Sequence, residues 1–181
     1  NRVGITPDCI SALKKMGFDI YVESNAGLLS SFTNDDYKKN GAKISLNLKD
    51  LYSKADLVVK IQRPSKQKKV NELNLLKNCN LLTLLYEQKF KTEFSQLKNL
   101  KINVFALEKM PRISRAQSMD VLSSQSNLSG YKAVIDAASE FNKAFPLMMT
   151  SAGTVAPAKV LVIGAGVAGL QAIATAKRMG A

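Results

Sequence analysis

The sequence predicts an α/β protein built from two parallel-sheet domains joined by a long helix. Short apolar strands alternate with amphipathic helices over the first hundred residues, a helical stripe occupies residues 127–145, and a strand, a glycine-rich turn and a helix follow in residues 160–179. Because strands separated by helices usually pair in parallel, parallel sheets are expected in both domains. A chain of 181 residues, 46% of them hydrophobic, is long enough to bury a core.

Local start and stop signals support the elements of the first domain. Thr6 and Pro7 suit the N-cap and the first position of a helix that Gly17 ends. Asn34 is the expected N-cap of a second helix, and residues 81–85 form the apolar run of a strand that is covered on both faces. The predicted helices are 7–16, 35–40, a segment that includes Val70, Leu73 and Leu76, and 90–100; the predicted strands are 18–23, 57–61, 81–85 and 102–107.

A polar segment interrupts this alternation at residues 110–120. It contains two arginines, a glutamine, an aspartate and two serines, with too little apolar periodicity for a core element. The helix predicted at 127–145 has its apolar side chains on one stripe, and Pro146 is its expected stop. We expect this helix to link a first domain of residues 1–126 to a second unit of residues 127–181, with the polar segment near the cleft between them.

Four apolar residues at 160–163 lead into a Gly-x-Gly-x-x-Gly motif that mostly good helix formers follow. Gly164 permits a tight turn, Gly166 lets backbone N–H groups approach a pyrophosphate, and Gly169 lets the helix pack closely on the strand. The helix N-terminus adds unpaired N–H groups and the positive end of the helix dipole. The motif therefore predicts a Rossmann-like dinucleotide-binding domain whose binding turn consists of Gly164, Ala165, Gly166, Val167, Ala168 and Gly169.

The chain stops at Ala181, after the first strand–helix unit of this second domain. A Rossmann-like domain needs further strands, so the sequence is expected to be a fragment with its second domain truncated. The acidic residue that would hold the adenosine ribose is expected about 20 residues past the glycines, beyond Ala181. That position therefore does not decide between NAD and NADP.

The formal net charge of +12 comes from 26 lysines and arginines against 14 acidic residues. The basic residues are mostly scattered lysines without interleaved aromatic residues, so we expect a solvated surface, no nucleic-acid partner and no metal site. No apolar run approaches the roughly 20 residues of a transmembrane helix, and no signal-peptide pattern opens the chain. Cys9 and Cys79 lie far apart in sequence, which is typical of a reducing compartment, and both are expected to be buried thiols.

The polar segment carries a family resemblance. Residues 111–120, Pro-Arg-Ile-Ser-Arg-Ala-Gln-Ser-Met-Asp, with the following Leu-Ser-Ser at 122–124, resemble the Arg-Gln-Asp loop in the NAD-binding α subunit of proton-translocating NAD(P) transhydrogenases. The similarity extends over essentially the whole chain, through Arg2-Val3, Thr6-Pro7, residues 59–64, Gly130-Tyr131 and residues 150–157. Alanine dehydrogenases share the fold, and the polar segment is what separates the two groups.

The resemblance implies a site for NAD(H). Arg112, Gln117 and Asp120 would form the transfer site and, with Ser123, hold the nicotinamide, while Tyr131 would lie close by or belong to the apolar stripe of its helix. Hydride transfer between two nicotinamides needs two rings held face to face and no side-chain acid or base. A glutamine amide and an Arg–Asp pair can orient such a ring by hydrogen bonds.

The same resemblance implies partners and a location. NADP(H) would be bound on a separate NADP(H)-binding domain or subunit, and hydride transfer would be coupled to proton movement through a membrane domain that forms the proton channel. A homodimer is expected. The subunit would be cytoplasmic and peripheral to the inner (plasma) membrane through its partner domains.

Two alternatives remain open from the sequence. An alanine-dehydrogenase-like oxidative deaminase fits Arg2 and Lys60, which stand where that family keeps a carboxylate-binding arginine and a catalytic lysine. The catalytic histidine does not fit, because the corresponding strand end has Tyr86 and the sequence contains no histidine. The other alternative is an inactive truncated remnant that only oligomerises.

Overall fold

The computed structural model describes residues 2–64, 71–76, 78–86, 88–100 and 102–181. It divides into two compact units, Asn1–Lys109 and Met110–Ala181. The predicted division into domains at residues 126 and 127 stays a prediction.

The first unit has helices between parallel strands, which confirms the predicted fold class. β1 pairs with β2 in parallel, and β3, β4 and β5 form a second parallel sheet in that order. Short 3₁₀ turns occur at Leu28–Ser30, Glu72–Asn74 and Leu107–Lys109. The elements are α1 Pro7–Lys15, β1 Tyr21–Glu23, α2 Asn34–Lys39, β2 Lys43–Ser45, α3 Leu48–Ser53, β3 Leu57–Gln62, β4 Asn80–Leu84, α4 Lys91–Asn99 and β5 Asn103–Ala106.

The start of α2 differs from the prediction, because its N-cap is Thr33 and not Asn34. The Thr33 hydroxyl accepts from the Asp36 N–H at 3.2 Å, and the Asp36 carboxylate accepts from the Thr33 N–H at 2.7 Å. This reciprocal pair satisfies two donors at the helix start. The Asn34 side chain accepts instead from the Asn25 N–H at 2.8 Å and so ties the preceding turn to α2.

Three elements of the first unit differ from the sequence prediction. β2 and α3 were not predicted, because a three-residue strand and a six-residue helix are too short to show a clear period. Asn47 caps α3 by accepting from the N–H groups of Lys49 and Asp50. The helix predicted around Leu73 is only the 3₁₀ turn at Glu72–Asn74, and Val70 lies outside the described residues.

Two apolar clusters form the interior of the first unit. In one, Leu76, Leu81 and Leu97 are almost fully buried between the β3–β5 sheet and its neighbouring segments. In the other, Ile10 and Tyr37 pack together, and the Tyr37 hydroxyl donates to the Ile5 carbonyl at 2.8 Å. Cys79 is buried as expected, but the prediction for Cys9 was wrong: it is exposed on α1, one residue before the inward-facing Ile10.

The second unit consists of two helices and a small hairpin. A 3₁₀ segment at Ser114–Met119 precedes them. No helix among the described residues is both long enough and apolar enough to cross a membrane. The elements are α5 Val121–Glu140, the antiparallel strands β6 Met148–Thr150 and β7 Gly153–Val155, and α6 Val167–Arg178.

The long helix α5 begins six residues before its predicted start and ends five residues before its predicted end. It starts early because Asp120 supplies an N-cap that the apolar pattern did not reveal. It ends at Glu140 because the chain turns back, so that Phe145 enters the core shared by α5 and α6 and accepts a hydrogen bond from the Ala158 N–H at 2.9 Å. The predicted stop at Pro146 was therefore too late.

Residues 160–163 were predicted as a strand, but they pair with no other strand in the part of the chain that the structure describes. Leu161 and Ile163 are 86% and 93% exposed, whereas Val162 is half-buried against the α5–α6 core. A strand requires a backbone partner, and β6 and β7 pair only with each other. The local β propensity of these residues is therefore not realised as sheet.

We predict that Leu81→Ala lowers the free energy of unfolding by about 2–5 kcal/mol, because it leaves a cavity beneath β4. Leu46→Ala is the matched control, since Leu46 is 91% exposed and its loss should change stability by less than about 0.5 kcal/mol. Urea denaturation followed by circular dichroism measures both. Equal losses in the two variants would show that Leu81 is not a core residue.

Candidate dinucleotide-binding site

The glycine motif forms a tight turn that leads directly into α6. Gly164 has φ +108, a backbone conformation that side-chain-bearing residues rarely adopt. A Cβ on Gly169 would lie 2.0 Å from the Gly164 carbonyl oxygen and 3.6 Å from Val162 Cγ1. Glycine is therefore required at both positions, one for the turn and one for close packing of α6 on the preceding segment.

Gly166 differs from the other two glycines because open space surrounds it. It is the N-cap of α6, and a Cβ built there would meet nothing within 4 Å. No side chain caps α6, and its first turn contains no acidic residue within the described chain. Backbone N–H groups that lack helical partners therefore face an accessible, carboxylate-free space, which fits a phosphate group.

Gly130 brings α5 into backbone contact with the first turn of α6. A Cβ on Gly130 would lie 2.1 Å from the carbonyl oxygen of Ala168, the second residue of α6. Gly130 was not among the predicted site residues. Its sequence signal was a glycine in the middle of a long helix, which costs about 1 kcal/mol relative to alanine and so points to a packing reason.

Asp120 and Ser123 lie together at the start of α5. The Asp120 carboxylate accepts from the Ser123 N–H at 3.0 Å and from the Ser123 hydroxyl at 2.6 Å. These hydrogen bonds from Ser123 are the main cause of a lowered pKa for Asp120, and the nearby positive charge of Arg112 is the weakest contribution. Asp120 is therefore an ionised helix cap as well as a predicted site residue.

The remaining predicted nicotinamide residues lie on the surface. Arg112 and Gln117 are exposed, Gln117 within the 3₁₀ segment at Ser114–Met119, where Ala116 provides the buried contact. Tyr131 follows Gly130 on α5 and is 49% exposed, so it does not belong to an apolar core. Among the described residues, no side-chain hydrogen bond or ion pair joins Arg112, Gln117 or Tyr131 to the Asp120–Ser123 pair.

The first unit contains the residues that the deaminase alternative would use. Lys60 forms an ion pair with Glu72, and the Tyr52 hydroxyl donates to the same carboxylate at 3.4 Å. Burial, followed by the Glu72 charge, raises the pKa of Tyr52. Lys60 therefore has a partly buried counterion, so its charge is already compensated within the fold.

Tyr86 occupies the strand end where the resemblance expects a histidine in deaminases. Its φ of 52 lies in the left-handed region, which is uncommon for a bulky residue. The N–H groups of Leu85 and Tyr86 donate to the two carboxylate oxygens of Glu108 at 3.0 and 2.6 Å. Glu108 thus holds the backbone of this corner, while the Tyr86 ring is 41% exposed.

A parallel-sheet α/β unit and a glycine turn at an open helix N-terminus define a protein of the Rossmann-like class. The sequence matches the family described as alanine dehydrogenase/PNT, N-terminal domain, over residues 1–129, and the C-terminal domain of that family over residues 133–181. The chain therefore belongs to the alanine dehydrogenase/PNT family.

Relatives within the family include both of its branches. The chain is 51% identical to the first of the parts that make up the NAD(P) transhydrogenase alpha subunit of Rhodospirillum rubrum, over 187 residues that cover 100% of this chain and 48% of the relative. The crystal structure of transhydrogenase from Sinorhizobium meliloti matches with a TM-score of 0.92 at 46% identity, covering 99% of this chain and 51% of the other. An L-alanine dehydrogenase structure matches with a TM-score of 0.81 at 25% identity, covering 99% and 49%. The chain spans about half the length of the curated Rhodospirillum relative.

We predict that Asp120→Ala destabilises the protein at neutral pH, because the cap of α5 is lost. The pKa of Asp120 is lower in the folded than in the unfolded protein, so its contribution is present above about pH 4 and is lost as the pH falls through the lowered pKa. The difference between the unaltered protein and the variant should therefore shrink in acid. Urea denaturation over a series of pH values measures it.

Asp120→Asn tests whether the cap or the charge matters, since asparagine is an equally good N-cap that does not titrate. It should retain stability at neutral pH. Asp136→Ala is the control, because Asp136 is an exposed carboxylate on α5 that caps nothing. An Asp120→Ala variant as stable as the Asp136→Ala control would contradict the capping role.

Proposed function

We propose that this chain supplies the NAD(H)-binding part of a proton-translocating NAD(P) transhydrogenase, in which hydride passes from NADH to NADP⁺ on a partner domain. The observation that supports this most directly is the open glycine turn at the uncapped N-terminus of α6, where Gly166 leaves room for a pyrophosphate. The similarity to transhydrogenase alpha subunits gives this phosphate site its reaction.

The proposed roles follow from the chemistry of each group. Residues 164–169 bind the pyrophosphate through backbone N–H groups, and Arg112 and Gln117 orient the nicotinamide carboxamide from exposed positions. Asp120 and Ser123 complete the nicotinamide end, and Tyr131 lies on the same helix. When bound, NADH supplies the hydride, so these side chains need only bind and orient the ring. Transfer therefore requires neither a side-chain acid nor a base.

The proposed partners are an NADP(H)-binding domain or subunit, a membrane domain that forms the proton channel, and a second copy of this chain in a homodimer. The name of the Rhodospirillum relative describes an alpha subunit that is divided into separate chains, which supports an assembly of several components. The proposed location is the cytoplasmic surface of the inner membrane, where the membrane domain would hold the subunit.

We predict that Gln117→Ala in the full-length subunit lowers the rate of hydride transfer much more than it lowers NADH affinity. The pyrophosphate contacts of residues 164–169 remain, whereas the ring loses an orienting amide, and a displacement of about 1 Å costs on the order of a hundredfold in rate. Stopped-flow transfer to an oxidised NADP analogue, with the NADP(H)-binding domain present, and equilibrium NADH titration measure the two effects.

Gln88→Ala is the matched control, because it removes an exposed glutamine from the first unit. It should leave both rate and affinity unchanged. Arg112→Ala should lower both, since it removes a charged donor and leaves Asp120 without its nearby positive charge. Unaltered transfer in Gln117→Ala would show that Ser114–Met119 is only a surface connection.

The second candidate function, oxidative deamination of alanine, is favoured by the position of Lys60 and by the L-alanine dehydrogenase match. Two observations count against it: Lys60 is paired with Glu72, and the sequence has no histidine to transfer protons near neutral pH. We therefore predict no alanine-dependent reduction of NAD⁺ by the full-length protein between about pH 6 and 10. Absorbance at the NADH band measures it, and steady alanine oxidation would reverse the ranking of the two functions.

A further inference from the structure

We propose that α5 is a rigid spacer that sets the distance between the nicotinamide end and the pyrophosphate end of the cofactor site, and that Gly130 is its positioning residue. This inference rests on the proposed function, because it concerns how one NAD(H) molecule is held at both ends. Gly130 touches no reacting atom and acts through the contact of α5 with α6.

The contact at Gly130 consists of backbone against backbone. A Cβ at this position would lie 2.1, 2.8 and 3.0 Å from the carbonyl oxygen, carbonyl carbon and Cα of Ala168. All three are backbone atoms, so no side-chain rotation can relieve the overlap. The oxygen is more than about 1 Å closer than an ordinary van der Waals contact, and α5 would have to move away from α6 by a comparable amount.

Helix geometry places the predicted nicotinamide contact on the same side of α5 as this packing contact. Positions 123 and 130 are seven residues apart, almost two turns, so Ser123 and Gly130 share one face at a separation of roughly 10 Å along the axis. Val134 lies one further turn along that face and is buried with Ala172 and Ala176 of α6. The face that carries Ser123 is thus fixed to α6 at two successive turns.

The glycine turn has its own internal support. Gly169 packs against the Gly164 carbonyl whether or not α5 is present. Moving α5 should therefore displace the Asp120–Ser123 pair and leave the phosphate-binding turn intact. Because nicotinamide and pyrophosphate belong to one molecule, such a displacement weakens only the contacts at the nicotinamide end.

The experiment compares two ligands in the full-length subunit, NADH and ADP-ribose, which lacks the nicotinamide. In Gly130→Ala we expect ADP-ribose affinity to stay within about twofold, NADH affinity to fall severalfold, and hydride transfer to fall on the order of a hundredfold. Ser129→Ala is the control, because it changes the neighbouring exposed residue of α5 and should alter none of the three.

Each outcome separates the two claims. Equal losses for NADH and ADP-ribose would show that Gly130 acts only on folding and would overturn the spacer. Unchanged affinity and transfer in Gly130→Ala would overturn it as well. An unaltered subunit that binds neither ligand would overturn the proposed function and the spacer together.

A second pair of variants applies if Gly130→Ala does not fold. Ser129→Gly loosens α5 between the cap and the end of the contact, whereas Ser139→Gly makes the same exposed change beyond it. We expect roughly a threefold fall in NADH affinity relative to ADP-ribose for Ser129→Gly and no relative change for Ser139→Gly. The same affinity ratio in both variants would overturn the spacer.

Discussion

Close contact of backbone against backbone at glycine positions is the constraint on which the second unit depends. At Gly169 the α6 backbone approaches the carbonyl of Gly164, and at Gly130 the α5 backbone approaches the carbonyl of Ala168. Each contact removes the space that even a methyl group would need, so the two helices and the turn have one arrangement. Gly166 is the exception that gives this arrangement a use, because it leaves its space open where N–H groups point outward.

Local signals predicted the fold where a short segment determines its own conformation. The positive φ of Gly164 and the helix that begins after Gly166 follow from the spacing of the motif, and Pro7 marks the start of α1. What the sequence did not reveal depends on partners distant in the chain. Gly130 has its role only because Ala168 lies against it, and residues 160–163 form no sheet because strand pairing is not a local property. The early end of α5 likewise depends on the burial of Phe145.

Asp120 shows how a structural and a functional role can coincide in one side chain. Its carboxylate holds the first turn of α5 through Ser123, so it starts the same helix that contacts α6 at Gly130. An ionised cap at this point keeps acceptor oxygens ordered without burying an unpaired charge. The sequence predicted both residues through a family resemblance, whereas the hydrogen bonds supply a physical reason for their spacing: an N-cap aspartate accepts from the residue three positions later.

The first unit shows why a shared fold does not decide the reaction. Lys60 stands at the position that the resemblance assigns to a catalytic lysine, yet a neighbouring carboxylate from Glu72 compensates its charge. At the adjacent strand end, Glu108 binds two backbone N–H groups and so stabilises a corner that carries the phenol of Tyr86. Proton transfer near neutral pH needs a group that titrates there, and lysines and tyrosines as residue types do so only after a large shift. The chemistry that remains for this scaffold is chemistry in which the protein positions a ring and moves no proton, and the open turn before α6 suits that task.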